Sequence, residues 1–230
     1  MNGWLLIDKP LQWTSFDVVN KVRSIIARHR GVKPKSIKVG HTGTLDPLAS
    51  GLLVLAVGKA TKQISGLIKD NKTYQATMIL GRNSSTGDRE GDLQDVSSHQ
   101  PSIEEIKTVF DKFTGEITQT PPQFSAIKVA GVPAYKRARK GQTVELKARR
   151  ATIHKLNLLR YEYPEVDFDC QVSSGTYVRT LAEDIGKALK TGSYLGALRR
   201  TTVGQYGIDD AIDIADINYD KIKKALRALD

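Results

Sequence analysis

The stretch VGHTGTLDPLASGLLVLAVG, residues 39–58, starts as a loop and ends as a strand. Its second half, GLLVLAVG, is too continuously apolar for a half-exposed strand and predicts a central strand buried on both faces. The segment GHTGTLDPLASG, residues 40–51, sets three glycines and two threonines around a single carboxylate, Asp46. No Gly-Lys-Ser/Thr follows Gly43, so this is not a phosphate-cradling loop, nor is it a dinucleotide fingerprint. The plain reading of Asp46-Pro47 is an Asx-type turn. The setting adds to it: a basic segment on one side and a buried strand on the other place the acid on a loop held by rigid scaffold.

Working outward, GWLLID (3–8) reads as a strand. TSFDVVNKVRSIIARHRG (14–31) reads as an amphipathic helix capped by Thr14 or Ser15, with Val18, Val19, Val22, Ile25 and Ile26 as its apolar stripe. Residues 60–70 read as a short helix, 72–81 as an alternating strand, and the Gly-, Ser- and Asp-rich stretch 82–101 as a long loop. A capping box, Ser102 with Glu105, opens a helix over 102–115. An extended segment and a short basic helix follow. Strands are expected around 148–161 and 165–175, a helix over 176–190 closed by Gly192, a strand pair over 192–207, and a last amphipathic helix over 219–230. With no internal repeat and no long linker, the pattern predicts one domain over residues 1–230. Its class is α/β of the α+β type, a large mixed, mostly antiparallel sheet flanked by helices and loops.

The chain has 230 residues, 40% of them apolar, enough for a full core. No apolar run approaches the roughly 18 residues of a membrane span. The N-terminus has no basic segment ahead of a short apolar one, so it is not a signal peptide. Cys170 is the single cysteine, which excludes an internal disulfide and fits a reducing, cytoplasmic setting. The four histidines, His29, His41, His99 and His154, lack metal-ligand spacing, so no metal is expected. The net charge of +10 is unevenly spread. Residues 134–160 hold nine Lys/Arg against Glu145, and residues 1–40 hold eight against Asp8 and Asp17. The last 23 residues hold six Asp against four Lys/Arg. A polyanion is the natural partner of such asymmetry, against the plain alternative of a solvated basic face.

A buried carboxylate needs a cation to stay ionised. SSGTYVRTLAEDIG offers Arg179 at the junction of a glycine turn and a helix, and NKTYQATMILG offers Tyr74 on a strand. By themselves these read as a surface arginine and ordinary sheet packing.

With those residues in view, GHTGTLDPLASGLL resembles the catalytic-loop motif of the TruB family, the tRNA pseudouridine-55 synthases. GWLLIDKPLQWTSFDVVNKVR resembles the family's Lys-Pro motif, and KTYQATMILGRNSSTGDREG its tyrosine strand and acidic loop. TPPQFSAIKVAGVPAYKRARKG resembles its segment before the basic helix, CQVSSGTYVRTLAEDIG its arginine motif, and YLGALRRTTVGQYGIDDA its closing motif. Six ordered motifs cover roughly residues 3 to 215. Gln12 stands where the family usually has glycine, which implies a local change of turn. The chain ends at Asp230, so the small C-terminal RNA-binding PUA domain of many members is expected to be absent.

The resemblance implies the pseudouridine synthase fold and isomerisation of a T-loop uridine of tRNA, with the target base flipped out of its stack. It implies Asp46 as the catalytic carboxylate, attacking the sugar or removing a ribose proton. Arg179 would hold that carboxylate, and Tyr74 would stack on the base and handle the C5 proton. Leu198 would wall the pocket and His41 would lie near the displaced RNA. Asp88 and Lys9 would make supporting contacts, and Lys136, Arg137, Arg139 and Lys140 would bind phosphates. No cofactor or metal is implied. The partner is the T-stem-loop of tRNA, with no membrane, and the protein acts as a monomer. Two other classes compete: a catalytically silent RNA-binding or RNA-folding protein on the same scaffold, and a nucleoside hydrolase using Asp46.

Overall fold

The structure is a computed structural model that describes residues 1–125 and 127–228. Ala126 of the extended segment and the end of the expected last helix, residues 229 and 230, lie outside the described residues. In chain order the elements are β1 (Gly3–Lys9), α1 (Ser15–His29), β2 (Val39–His41), β3 (Ala49–Val57), α2 (Ile64–Leu67), β4 (Lys72–Leu80), β5 (Arg82–Ser84), β6 (Leu93–Asp95), α3 (Ile103–Phe113) and β7 (Gly115–Gln119). They continue with β8 (Lys128–Val129), β9 (Val132–Pro133), α4 (Ala134–Ala138), β10 (Arg149–Glu162), β11 (Glu165–Val172), α5 (Val178–Ala188), β12 (Ser193–Val203), β13 (Tyr206–Gly207), β14 (Ile212–Asp213) and α6 (Tyr219–Ala225). Two compact units result, Met1–Gln75 with Leu198–Asp230, and Ala76–Ala197; β4 and β12 run through both. Among the described residues no helix is long and apolar enough to cross a membrane.

In the first unit the strand order is β14-β1-β3-β12-β4. β3 is antiparallel to β1 along its whole length. On its other edge it meets β12 in parallel at Ala49 to Gly51 and β2 antiparallel at Leu55 to Val57. Having neighbours on both edges, it is the central strand that its apolar run predicts. The pleat then sorts its side chains. Leu53, Leu55 and Val57 pack against Val18, Val19, Val22 and Ile26 of α1, while Leu52, Val54 and Ala56 pack with Trp4, Leu6 and Val203. α1 starts at Thr14, whose hydroxyl accepts from the Asp17 amide while the Asp17 carboxylate accepts from the Thr14 amide. This is a capping box with Asp in place of Glu.

In the second unit the order is β12-β4-β11-β10-β7. β10 pairs antiparallel with β11 and with β7, and Phe110 of α3 meets Phe168 edge to face with ring centroids 5.8 Å apart. α3 opens on the expected Ser102–Glu105 box.

Three local expectations change. The loop 82–101 contains the hairpin β5–β6, tied by an Arg82–Asp95 ion pair at 2.6 Å. Its strands are three residues each, too short for alternation to register. The helix expected over 60–70 is a 3-10 turn, Gly58–Gln63, followed by the four residues of α2. α6 stops at Ala225 because Arg227 exchanges both backbone hydrogen bonds with Trp4 of β1, each 2.9 Å. Strand pairing across the unit wins over local helical periodicity.

Gly51, in β3, has φ +101°, and a Cβ built there meets the Arg200 carbonyl oxygen and comes within 2.8 Å of its nitrogen. Only glycine lets β3 and β12 come together here. Gly51→Ala should lose about 1–3 kcal/mol for the backbone conformation, with the clash in addition. A denaturant midpoint equal to wild type would contradict this.

Candidate active site

Asp46 lies at the head of β3, and its own carbonyl accepts from the Ala49 amide at 3.0 Å. Asp46 is exposed, on the loop that the sequence predicts to be held by rigid scaffold. The loop beneath it is held from three directions, all within the first unit. Ser15, buried at the start of α1, takes both sides of Leu45. Its hydroxyl donates to the Leu45 carbonyl at 3.0 Å and accepts from the Leu45 amide at 2.8 Å. The Gln12 amide donates to the Pro47 carbonyl at 2.7 Å. Arg200, 1% exposed, donates from Nε to Leu52 O at 2.8 Å and from Nη2 to Gly43 O at 3.1 Å. Gln12 adopts φ +66°, the left-handed region that glycine favours, so a side chain is held there at a cost in backbone strain.

Lys9 is fully buried, its Nζ donating to Pro10 O at 2.8 Å and Trp13 O at 2.7 Å. Burial pushes its ammonium down to about 8; the negative charge of Asp46 opposes this and the positive charge of Arg200 adds to it. Lys72, at the start of β4, is likewise pushed down to about 8 by burial, with Arg200 adding and Asp70 opposing. His41, half-buried on β2, is pushed down by burial and then by Arg200. Its Nδ1 and the Thr42 hydroxyl are buried without a hydrogen-bond partner among the described residues. Tyr74 is buried on β4, and Leu198, half-buried on β12, stands beside Ala49 in the strand register. The next residue, Arg199, makes a bidentate pair with Asp8 at 2.6 and 3.0 Å. In the first unit Lys9, His41 and Leu198 thus lie on or beside the strands that carry this loop, and Tyr74 lies on β4.

In the second unit Arg179 is buried in the first turn of α5. Its Nε lies 3.2 Å from Asp88 Oδ2, and Nη1 donates to Thr86 O at 3.2 Å. Asp88 Oδ1 accepts from the Thr86 hydroxyl at 2.6 Å and the Glu90 amide at 3.1 Å. A buried pair of this kind is costly to break one-sidedly. Asp88, given only a supporting contact by the sequence, is an ion-pair partner of Arg179. Gly87 closes the turn over α5: a Cβ there would stand 2.8 Å from Glu183 Oε1 and 3.0 Å from Arg179 Cδ. The helix start is fixed from β7, where Gln119 bonds the Tyr177 amide at 3.1 Å and its carbonyl at 3.3 Å.

The same unit carries the basic segment. Lys136, Arg139 and Lys140 are exposed, Arg139 lying over the Tyr135 ring at 5.7 Å. Arg137 is half-buried and donates to Val129 O at 3.3 Å. A small apolar cluster of Ala134, Val144 and Leu146 supports them. Among the described residues no group of His, Cys, Asp or Glu is placed to hold a metal ion.

Arg200 and Gln119 escape the sequence reading, and Ser15, read there as a possible helix cap, anchors Leu45 instead. A doubled arginine inside an apolar-polar strand, LRRT, is the one signal that points to a buried cation.

The fold is shared with a chain of the crystal structure of a Cbf5-Nop10-Gar1 complex, with a TM-score of 0.72 at 28% identity; the match covers 98% of this chain and 59% of that one. Residues 29–178 match the model of the TruB family pseudouridylate synthase N-terminal domain, and residues 179–229 that of the tRNA pseudouridylate synthase B C-terminal domain. A protein of Flavobacterium johnsoniae named tRNA pseudouridine synthase B is 46% identical over 91% of this chain and 92% of its own length. A protein of that name from Burkholderia lata is 45% identical over 93% of this chain, which spans 64% of the relative's length. The chain belongs to the TruB family of pseudouridylate synthases.

Two outcomes are expected from the loop anchors. Ser15→Ala leaves two buried backbone groups of Leu45 unsatisfied and should cost about 1–3 kcal/mol each way of bonding lost; urea titration of the variant checks it, and an unchanged midpoint would refute the clamp. Second, Lys9 and Lys72 hold fewer protons folded than unfolded between their folded values of about 8 and the ordinary lysine value near 10.4. The penalty for burying their charge is therefore fully present below pH 8 and is relieved as pH rises toward 10.4. The urea midpoint should rise from pH 7.5 to pH 9.5, and Lys72→Met should remove part of that rise.

Proposed function

We propose that this chain isomerises uridine to pseudouridine in the T-loop of tRNA, with residues 1–230 working as one catalytic domain and as a cytoplasmic monomer. The observation that carries the reading is the exposed carboxylate of Asp46 on a loop pinned by Ser15, Gln12 and Arg200. The names of the 45–46% identical relatives support the reaction and the class of RNA.

The reaction breaks the bond from uracil N1 to ribose C1′ and forms one from C5 to C1′. One proton leaves C5 and one arrives at N1, so nothing is oxidised and nothing is lost to water. Glycoside hydrolysis generally works with two carboxylates flanking the bond. Here a single acid suits a base that is retained and rejoined. Asp46 acts at the sugar, either on C1′ or on a ribose proton, and a loop that cannot move keeps its oxygens in place while the base turns. Tyr74 stacks on the uracil and its hydroxyl handles the C5 proton. Leu198 gives the site an apolar wall. Arg179 is the cation assigned to Asp46, its own orientation set by Asp88 and Thr86. His41 attends the displaced RNA, and Lys136, Arg137, Arg139 and Lys140 attract phosphates.

Asp46→Asn should abolish pseudouridine formation in an unmodified tRNA transcript and leave tRNA binding within about twofold. Tyr74→Phe should keep binding and lose at least about tenfold in turnover, the low end of what a general acid–base group contributes. Pseudouridine mapping with a filter-binding titration tests both; near-normal turnover by Asp46→Asn would sink the assignment, and release of free uracil by wild type would replace it with hydrolysis.

A further inference from the structure

From Val18 to Leu45 the chain has no carboxylate and seven Lys/Arg, five of them within residues 28–38. The structure turns this charge run into a defined surface. Arg28 and Arg30 end α1, and Lys33, Lys35 and Lys38 follow; all five are exposed. None has a side-chain hydrogen bond or ion pair among the described residues. The backbone that carries them is well held. The Val32 amide bonds Ala27 O at 3.1 Å, and Gly31 takes φ +64°. A 3-10 turn, Pro34–Ser36, closes through the Ser36 amide and hydroxyl to Lys33 O at 3.0 and 2.7 Å. Ile37 and Val39 then sink into the core with α1. A solvated tail needs none of this. Five cations without an ion pair among the described residues, on a fixed turn, raise the potential that each of them feels, which destabilises the fold unless a polyanion answers it.

The strand register locates this surface relative to Asp46 inside the same unit. The Gly58 amide donates to Lys38 O at 2.8 Å, so Lys38 sits at the far end of β3. The chain then runs back along β3, with Val39 beside Val57 and His41 beside Leu55, until Asp46 meets Ala49 at the near end. Nine residue steps at about 3.3 Å separate the two ends, about 30 Å. The turn is therefore out of reach of the nucleotide at Asp46.

We infer that residues 28–38 are a second, distal docking surface for the phosphate backbone of the tRNA body, away from the reacting loop. This rests on the functional reading above. An RNA touching both ends must extend about 30 Å, which is about nine steps of B-form DNA at 3.4 Å each and more of the A-form helix that RNA adopts. Even on that longer scale, a hairpin stem of about five base pairs extends about 17 Å and falls short.

The test compares wild type with the variant Arg30→Gln, Lys33→Gln, Lys35→Gln, Lys38→Gln on full-length tRNA and on such a T-arm hairpin. Arg28 is kept because it supports the C-terminal end of α1. Each lost phosphate contact removes about 0.7–0.9 from the slope of log affinity against log salt, so the slope for full-length tRNA should flatten by about 3. The half-saturating tRNA concentration should rise about tenfold or more, with the rate at saturation within about twofold. The hairpin should bind and react with both proteins alike. Equal slopes and affinities on full-length tRNA would overturn the inference, and an equal loss on the hairpin would overturn its distal placement. If the quadruple variant lacks the wild-type circular dichroism, Lys33→Glu with Lys35→Glu gives the same comparison. The binding arm decides the question even if wild type forms no pseudouridine, an outcome that would strike the reaction and leave the docking surface standing.

Discussion

The close approach of β3 and β12 at Gly51 is the constraint on which the first unit depends. Without a side chain at Gly51, the Arg200 backbone comes in against β3, and its guanidinium reaches Leu52 O and Gly43 O. One buried cation thereby ties the central strand to the loop ahead of it. A buried guanidinium is normally matched by a carboxylate; here the hydrogen bonds in view go to backbone carbonyls, which compensate its desolvation without neutralising it. Its uncancelled charge is felt by Lys9, His41 and Lys72, each pushed toward its neutral form. The loop that presents Asp46 is thus backed by basic groups whose proton affinities are lowered first by burial and also by the charge of Arg200.

That arrangement accounts for the order of residues along 39–58. The apolar half anchors, and the polar half can then be exposed without being loose. Ser15 contributes from α1, Gln12 from the turn before it, Arg200 from a strand close to the end of the chain. A loop with that many fixed points can hold a carboxylate in water at low entropic cost, which is what a group acting on a flipped base requires. The second unit repeats the principle with Arg179, fixed by Asp88, Thr86 and a helix start that Gln119 holds from outside the helix.

The charge along the chain has two uses that composition cannot separate. Lys9 and Arg200 are inside, and Arg28, Arg30, Lys33, Lys35 and Lys38 are outside, yet all count equally toward +10. Burial divides structural cations from those available to a polyanion. The partition also differs within the basic segment, where Arg137 turns to a backbone carbonyl while its neighbours stay in solvent.

Local signals carried a large part of the fold. The apolar run of β3, the stripe of α1, the Ser102–Glu105 box and the alternation in β4, β10 and β11 all depend on near neighbours, and each is legible from residue order by itself. The motif order likewise marked Asp46, Tyr74 and Arg179. What the order of residues did not contain is anything decided by contacts distant in sequence. α6 ends early because Arg227 pairs with Trp4, β5 and β6 exist because two three-residue strands meet, and Arg200 is interior because Gly51 leaves room beside it. Asp46 is exposed on a fixed loop, since the residues that hold the loop bond the backbone on either side of it. Periodicity and capping are short-range physics and survive in one dimension; register, close approach and the burial of charge are set only when strands far apart in the chain pack together.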